Sequence, residues 1–405
     1  MTFGLVCDVS GSSLPEVLRQ TLFGEVLSGL PVFCLERWQS LHETSARVLL
    51  SDSGVHPLSI VELFDYGLSL DQLSKVELGY GWTKGSPKLR EGISEIYGGV
   101  VGPENVLVTN GSAEANLLTV LGLVRPSDLV LVDVPNYMQV PGLLKWLGAR
   151  VIFLKRNPPG WSFPIDDAIS LMRQHKPKAM FVNDPNNPTG TYMTRRELEE
   201  LSYEAEKTGT TLVFDEVYWG SELQEPRPSI LEIASSDQAV SVSGLSKVYG
   251  LPGLRVGWVV GSEKLISRLW SLKDYTTIAP SILSDYIASV MLERDNFRRL
   301  RERAKSIVRG NLEILKWAHS GAGDLFEVVW PRAGAYFLAK IPWSGDTLMV
   351  AYELFMEYDV LVNPGECFEI PGYLRVGLGQ QPTQFRDSLQ TLVDGLARIR
   401  EKTSW

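Results

Sequence analysis

The sequence predicts an α/β protein whose main sheet is mostly parallel and covered by helices on both faces. Short apolar runs alternate with helix-like segments from about residue 87 onward, as in βαβ units. Several of these runs end in polar or glycine-rich residues, at the edge where parallel sheets bind ligands. The chain of 405 residues is also too long for one ordinary core, so we expect a second, smaller domain.

Composition excludes several classes of protein. Hydrophobic residues make up 44% of the chain and charged residues 21%, which is typical of a soluble globular protein. The net charge of −9, without a long basic cluster, argues against a nucleic-acid partner. No uninterrupted apolar run reaches the roughly 18 residues of a membrane span. The early Asp8 and the lack of a basic start before an apolar run argue against a signal peptide.

Cysteines and histidines give no sign of a metal site. Cys7, Cys34 and Cys367 lie far apart and form no CxxC pair, so we expect a reducing compartment, the cytoplasm. The four histidines are equally dispersed and match no metal-ligand spacing. No metal is therefore predicted.

The first part of the chain predicts helices followed by a loop. Leu14 to Leu30 has the apolar spacing of a helix that ends at Pro31, and residues 33–49 predict a second helix leading into extended chain. Residues 51–57 are rich in turn formers and predict a loop.

The middle of the chain alternates between strands and helices. Strands are predicted at 106–109, 129–134, 151–154, 179–183, 212–215, 239–243 and 256–260, and helices at 113–124, 141–147, 165–174 and 195–208. A long charged helix over 296–319 then leads to strands within 327–341 and at 373–378, with helices at 347–358 and 383–403. We expect a large domain over 75–295, and a smaller α+β domain formed by 1–74 and 296–405.

Residues 243–257 are the most informative stretch. Lys247 lies among small residues that allow a flat ring to approach the backbone, and Arg255 follows a Gly-Pro-Gly turn. Lysine forms Schiff bases with carbonyl compounds, and arginine binds phosphate as a fork of donors. An aldehyde that carries a phosphate describes pyridoxal phosphate. The alternative is an exposed Lys and Arg on a glycine-rich loop.

Other strand ends carry groups that suit the same cofactor. Ser112 opens a helix, a natural phosphate site, although it also suits an ordinary N-cap. Tyr137 can stack on a flat ring or simply pack against its neighbours. Asn187 lies in a turn fixed by two prolines, where its amide can donate to a phenolic oxygen or serve the turn alone.

Two further positions complete the set. Asp215 ends a strand, where a carboxylate can keep a pyridine nitrogen protonated or cap a helix, and Tyr218 can reach the same oxygen as Asn187. Arg375 lies in an otherwise apolar strand and calls for an anion, either a substrate carboxylate or an internal acid. Together these groups supply every contact that bound pyridoxal phosphate requires.

These motifs resemble those of the class I and II aminotransferases, pyridoxal-phosphate enzymes of fold type I. Residues 244–257 carry the most specific part of the resemblance, residues 187–190 and 215–218 agree with it, and the likeness covers roughly 75–380. Residues 42–43 and 53–54, together with 243–257, also resemble the branch that includes capreomycidine synthase. In place of the Gly-x-Pro loop of many relatives, this chain has Gly54-Val55-His56-Pro57, which is one residue longer.

The resemblance implies a role for each site residue. The catalytic group is Lys247, as internal aldimine and proton shuttle, with Asp215 on the ring nitrogen and Tyr218 on the ring oxygen. The other implied cofactor contacts are Asn187 at the ring oxygen, Tyr137 on the ring, and Ser112, the Ala113 backbone, Ser246 and Arg255 at the phosphate. Arg375, Asn187 and Gly54 would bind the substrate. Family members are homodimers, and Tyr80 resembles the tyrosine that reaches the partner's phosphate.

The resulting hypothesis is an aminotransferase that takes an α-amino acid and a keto acid. The alternative within the same framework is a cyclase, lyase or oxidase acting on an amino acid. A third hypothesis, a non-catalytic binding module, is disfavoured because Lys247 is intact and no DNA-binding domain is appended.

Overall fold

The computed structural model describes residues 14–403. Its N-terminal elements are α1 (Glu16–Phe23), β1 (Glu25–Leu27), β2 (Leu30–Pro31), α2 (Cys34–His42) and β3 (Val48–Leu49). Cys7 and Asp8 lie outside the described residues.

Both helices predicted in this part are too long. The first ends at Phe23, because Gly24 leaves the helical conformation and Gly29 has a φ of +79°, which permits the tight β1–β2 hairpin. The second ends at His42, whose carbonyl accepts the N–H groups of both Ser45 and Ala46 in a turn. A prediction from apolar spacing alone therefore overestimates the length of each helix.

The middle of the chain forms the strands and helices that the sequence predicts, within one to two residues at most ends, and four helices that were not predicted, at Leu70–Leu73, Pro87–Ile96, Glu263–Lys273 and Ile282–Met291. These elements are α3 (Leu70–Leu73), α4 (Pro87–Ile96), β4 (Val106–Thr109), α5 (Ser112–Leu123), β5 (Leu129–Val134), α6 (Gln139–Leu147), β6 (Arg150–Lys155), α7 (Ile165–His175), β7 (Ala179–Asn183), α8 (Arg195–Thr208), β8 (Thr211–Asp215), β9 (Ala239–Gly244), β10 (Gly257–Val260), α9 (Glu263–Lys273) and α10 (Ile282–Met291).

The seven strands from β4 to β10 form one sheet in the order β4-β10-β9-β8-β7-β5-β6. All its neighbouring pairs are parallel except the two made by β10, which runs antiparallel to both β4 and β9. Side chains alternate between two cores: Val130 and Val132 face one, and Leu131 faces the other. The prediction of a mainly parallel sheet covered on both faces is confirmed.

The remaining elements are α11 (Arg294–Gly321), β11 (Glu327–Val329), β12 (Tyr336–Lys340), α12 (Thr347–Tyr358), β13 (Val360–Leu361), β14 (Asn363–Pro364), β15 (Tyr373–Gly377) and α13 (Pro382–Thr403). A four-stranded antiparallel sheet has the order β11-β12-β15-β14. β13 pairs in parallel with β3, so the N-terminal part of the described chain packs against its C-terminal part. The division into domains at residues 75 and 296 stays a prediction. Within residues 14–403 no helix is both long and apolar enough to cross a membrane.

A disulfide joins Cys34 of α2 to Cys367, which lies in the 3-10 turn Gly365–Phe368. The two cysteines are separated by 333 positions in sequence. The expectation of reduced, unpaired cysteines is therefore wrong for this pair. The sequence carries no local motif for it, because the two elements meet only after the chain has folded.

Candidate active site

A cavity of about 490 Å³ lies at the carboxyl ends of the parallel strands. Its wall includes residues that follow β5, β7, β8 and β9, as expected for a ligand site of a parallel sheet. The predicted site residues that line it are Ser112, Ala113, Tyr137, Asn187, Asp215, Tyr218, Ser246, Lys247 and Arg255.

One corner of the cavity is built for an anion. Gly111 precedes α5 with a φ of +82°, and a Cβ there would lie 2.5 Å from an Arg255 Nη atom. A Cβ at Gly257 would lie 2.4 Å from the backbone nitrogen of Ser112. The two glycines thus let the Arg255 guanidinium and the start of α5 converge. The N–H groups at a helix start, the Ser112 hydroxyl and a guanidinium together suit a phosphate.

The opposite end of the cavity holds the Asp215 carboxylate. Its Oδ2 accepts a hydrogen bond of 2.9 Å from the Asn116 amide, and its Oδ1 accepts the Val217 N–H at 3.1 Å. Burial raises the pKa of Asp215 to about 6, against the opposing effect of these hydrogen bonds. A cationic N–H placed against this carboxylate would relieve the cost of burying its charge.

Tyr137 connects the cavity to α2. Its hydroxyl donates a hydrogen bond to the carboxylate of Glu36, and its ring packs edge-on against Phe33 with 4.9 Å between centroids. Burial and the Glu36 charge raise the pKa of Tyr137 well above its usual value, so the phenol stays protonated and acts as the donor. Helix α2 therefore positions the aromatic ring.

Lys247 lies beside a carboxylate that the sequence analysis did not single out. Its Nζ is 3.5 Å from Oδ1 of Asp52, and the Gly54 N–H donates to the same oxygen at 2.9 Å. Burial disfavours the charged lysine, but Asp52 and Tyr218 outweigh burial, so the pKa of Lys247 lies above its usual value. Burial also disfavours the charged Asp52, but Lys247 and the Gly54 N–H lower the pKa of this carboxyl.

Arg375 lies on β15 and is 1% exposed. One of its Nη atoms donates to Oδ1 of Asn187 at 2.8 Å and the other to the Ser51 carbonyl at 2.7 Å. Its Nε has no hydrogen-bond partner among the described residues. No acid pairs with Arg375 within the described chain, which favours an anionic ligand over an internal salt bridge.

A network of buried charges supports the strand ends from behind. Arg156 bonds Asp133 at 2.9 Å, and Arg227 bonds Asp184 and Glu216 at 2.8 Å each. These acids lie at or next to the ends of β5, β7 and β8, so the network holds the turns that carry Tyr137, Asn187 and Asp215. Its members are buried and paired with opposite charges, which favours a single arrangement of these side chains.

Three predicted site residues lie outside the cavity wall. Arg375 contacts the wall through Asn187, and Gly54 contributes its N–H to Asp52. Tyr80 is 91% exposed and lines a separate surface depression with Gly79 and Gly81. Tyr80 is therefore not among the residues that line the cavity with Arg255 in the same chain.

The sequence analysis missed three residues of the site. Asn116 lies one helical turn after Ser112, so helical periodicity gave a signal for it. Asp52 precedes Gly54 by two positions, in the same loop that the sequence analysis predicts to contact the substrate through Gly54. Glu36 had no signal, because its position depends on where α2 packs.

The residues present fit pyridoxal phosphate. The glycine-lined corner at Arg255 matches a phosphate, and the buried Asp215 carboxylate matches a protonated ring nitrogen. Lys247 lines the same cavity as these two groups, and its amine can form a Schiff base with an aldehyde carbon bound there. No residue in this wall conflicts with the group.

Comparison with known proteins agrees with this chemistry. Residues 70–392 match the model of a family described as aminotransferase class I and II. The aspartate aminotransferase of Thermotoga maritima is 30% identical over 81% of this chain and 84% of its own length. The capreomycidine synthase of Streptomyces vinaceus is 29% identical over 92% of this chain and 94% of its own. The crystal structure of a PLP-dependent aminotransferase from Streptococcus suis 89-1591 matches with a TM-score of 0.85 and 33% identity, covering 91% of this chain and 98% of that one.

Proposed function

This chain belongs to the class I and II aminotransferase family of fold type I pyridoxal-phosphate enzymes, and on that premise we propose that it transfers the amino group of an α-amino acid through Lys247. The observation that carries the proposal is the convergence of Lys247, Asp215 and Arg255 on one cavity wall. A transferase of this class requires an amine nucleophile, a partner for the ring nitrogen and a phosphate anchor.

Each group of the cofactor has residues to hold it. Arg255, Ser112, Ser246 and the Ala113 N–H would bind the phosphate, and Asp215, held by Asn116, would bond the ring nitrogen. Asn187 and Tyr218 would bond the ring oxygen, and Tyr137 would stack on the ring. Because the Asn187 oxygen accepts a bond from Arg375, its amide nitrogen is the donor that faces a ligand.

Lys247 and Arg375 carry the reaction itself. Pyridoxal phosphate, when bound, supplies a carbonyl carbon for amines and a ring that accepts the electron pair left at the substrate Cα. Lys247 would hold the cofactor covalently, and its amine, when free, would move the Cα proton of the substrate. Arg375 holds the α-carboxylate in a bidentate pair, which fixes Cα relative to Lys247. Gly54, whose N–H bonds Asp52 in the same loop, would add a backbone contact to the substrate.

The test mixes holoenzyme with single amino acids and follows the visible absorbance of the cofactor together with keto acid release. Transamination predicts that at least one amino acid converts the cofactor to its amine form and yields the matching keto acid. A second keto acid should then regenerate the original spectrum. If no amino acid produces either change, the proposal is wrong.

The likeness to capreomycidine synthase, which spans 92% of this chain, favours a second candidate. In this alternative the same framework would end in cyclisation, elimination or oxidation of an amino acid. Mass spectrometry distinguishes the two: a product that retains its amine and forms without any keto acid co-substrate supports the second candidate.

We also propose a homodimer, in which the Tyr80 hydroxyl of one subunit donates a hydrogen bond to the cofactor phosphate bound by the other. The family premise and the exposed position of the Tyr80 loop support this arrangement. A cytoplasmic location remains the sequence-based expectation, and the Cys34–Cys367 disulfide is the feature that argues against it.

A further inference from the structure

The wall of the cavity opposite the sheet is acidic. Glu36 and Glu43 both line it from α2 and its C-terminal end, three and four positions either side of Gln39, which also lines it. Residues with this spacing share one face of a helix, so α2 presents a single polar face to the cavity. Asp52 adds a third carboxylate from the following loop.

The cations near this cavity already have anionic partners under the proposed function. Arg255 serves the phosphate, Arg375 serves the substrate α-carboxylate, and Lys247 forms the covalent link to the cofactor. Asp215 is matched by the ring nitrogen. Glu36 and Glu43 also line the cavity, and among the described residues neither forms an ion pair with a cation of its wall, whereas Asp52 lies beside Lys247 and adds to the negative charge there.

Two observations separate this wall from an ordinary solvated face. Glu36 is fixed in place, because its carboxylate accepts the Tyr137 hydroxyl, and Tyr137 lines the same cavity. Arg375 is 1% exposed with an Nε that has no hydrogen-bond partner within the described chain, which points to a ligand carboxylate bound nearby. The carboxylates therefore lie beside the position of an amino acid.

We propose that this acidic wall selects an α-amino acid whose side chain carries a cation, an ammonium or a guanidinium group. This inference rests on the proposed function and names its substrate class. A neutral side chain would leave the carboxylates unpaired, and an acidic side chain would meet direct repulsion. Glu36 is the main specificity residue, because Tyr137 holds it over the cavity, and Glu43 and Asp52 strengthen the negative field.

The test compares two ligands that differ only in charge. α-Methylornithine and α-methylnorvaline have side chains of the same carbon length, but only the first ends in an ammonium group. Neither has a hydrogen at Cα, so calorimetry with the holoenzyme reports binding without turnover. We expect α-methylornithine to bind at least about ten-fold more tightly at low salt, because a charge-assisted hydrogen bond has roughly that effect on affinity. This preference should shrink as salt is added.

Substitutions in the acidic wall test whether its carboxylates cause the preference for the cationic ligand. Glu36→Gln should reduce the preference about ten-fold while leaving the affinity for α-methylnorvaline within about two-fold. Glu43→Gln should reduce it less. Glu95→Gln, an exposed carboxylate on α4 outside the cavity, is the matched control and should change neither affinity.

The possible failures are distinguishable. Equal affinity for the two ligands in the wild-type protein overturns the inference even if no variant folds. An equal loss of affinity for both ligands in Glu36→Gln also overturns it, since Glu36 would then only position Tyr137. If neutral amino acids are converted to keto acids without any preference for cations, the proposed function survives and this inference fails. If no amino acid is bound or converted, the proposed function itself fails.

Discussion

At the scale of single residues, Lys247 is the group on which the proposed chemistry depends. We predict that Lys247→Ala still binds the cofactor, because Arg255, Ser112 and Asp215 remain, but without a covalent link. Turnover should fall by about 10²–10⁴-fold or more, because the nucleophile and the proton carrier are lost together. Borohydride reduction of the wild-type holoenzyme, followed by peptide mapping, should label Lys247. Label on a different lysine would contradict the assignment.

Asp52 raises the pKa of Lys247, and this predicts how covalent attachment of the cofactor depends on pH. The carboxylate 3.5 Å away raises the pKa of Lys247, so less of the amine is neutral at a given pH. Asp52→Asn should lower that pKa and move the pH profile for covalent cofactor attachment to lower pH, because the neutral amide no longer stabilises the charged lysine. Stopped-flow absorbance of the cofactor-free protein across pH measures this shift.

A matched control exists for this pair. Lys75 and Asp71 form a Lys–Asp pair at 2.6 Å on the surface, far from the cavity wall. Asp71→Asn should leave the pH profile unchanged. An unchanged profile in Asp52→Asn, or a shift to higher pH, would refute the role given to Asp52.

At the scale of elements, the approach of β10 to the start of α5 decides whether the phosphate corner forms. A Cβ at position 257 would lie 2.3 Å from the Gly111 carbonyl carbon, so one of the two elements must move. We predict that Gly257→Ala destabilises the protein by about 1–3 kcal/mol and lowers cofactor affinity at least about ten-fold. Gly253→Ala is the control, because a Cβ there meets no atom within 4 Å. Thermal unfolding and cofactor titration measure the two effects, and equal behaviour of both variants would contradict this account of the corner.

Helix α2 is tied to the C-terminal part of the chain by the Cys34–Cys367 disulfide. Closing so long a loop restricts the unfolded chain, so we predict that Cys34→Ser lowers the free energy of unfolding by about 2–4 kcal/mol. A reductant should lower the stability of the wild-type protein similarly and leave the variant unaffected. Thiol titration in denaturant without reductant should find one free thiol among the three cysteines, since two are paired. Three free thiols would show that the bond does not form.

At the scale of the whole molecule, Tyr80 tests the proposed dimer. It is 91% exposed, lies between Gly79 and Gly81, and does not line the cavity of its own chain. If its phenol bonds the partner's phosphate, Tyr80→Phe should cost about 0.5–1.5 kcal/mol, which is a several-fold loss of cofactor affinity. Covalent attachment to Lys247 should persist.

Mixed dimers sharpen this prediction. Combining Tyr80→Phe protomers with Lys247→Ala protomers gives heterodimers in which one site has both an intact Lys247 and an intact Tyr80 from its partner. Cofactor affinity should recover at that one site. A fully active monomer in analytical ultracentrifugation would refute the shared site.

The sequence by itself determined the parallel sheet and the predicted site residues that meet in one cavity at its edge. Each depends on local patterns: apolar runs such as 129–134 bury a strand, and Asp215 and Lys247 follow strands whose ends must meet at one edge of the sheet. The convergence of those residues can therefore be predicted without knowing the conformation of the loops.

Only the tertiary structure shows which distant residues contact the predicted cofactor-binding residues. Glu36 and Tyr137 are 101 positions apart, Asp52 and Lys247 are 195 apart, and Cys34 and Cys367 are 333 apart. These contacts depend on how the N-terminal helix and the following loop pack over the sheet. Apolar spacing specifies which face of α2 is buried, but it carries no information about which distant element the polar face meets. The acidic wall therefore could not be predicted from the sequence, because the packing of distant elements creates it.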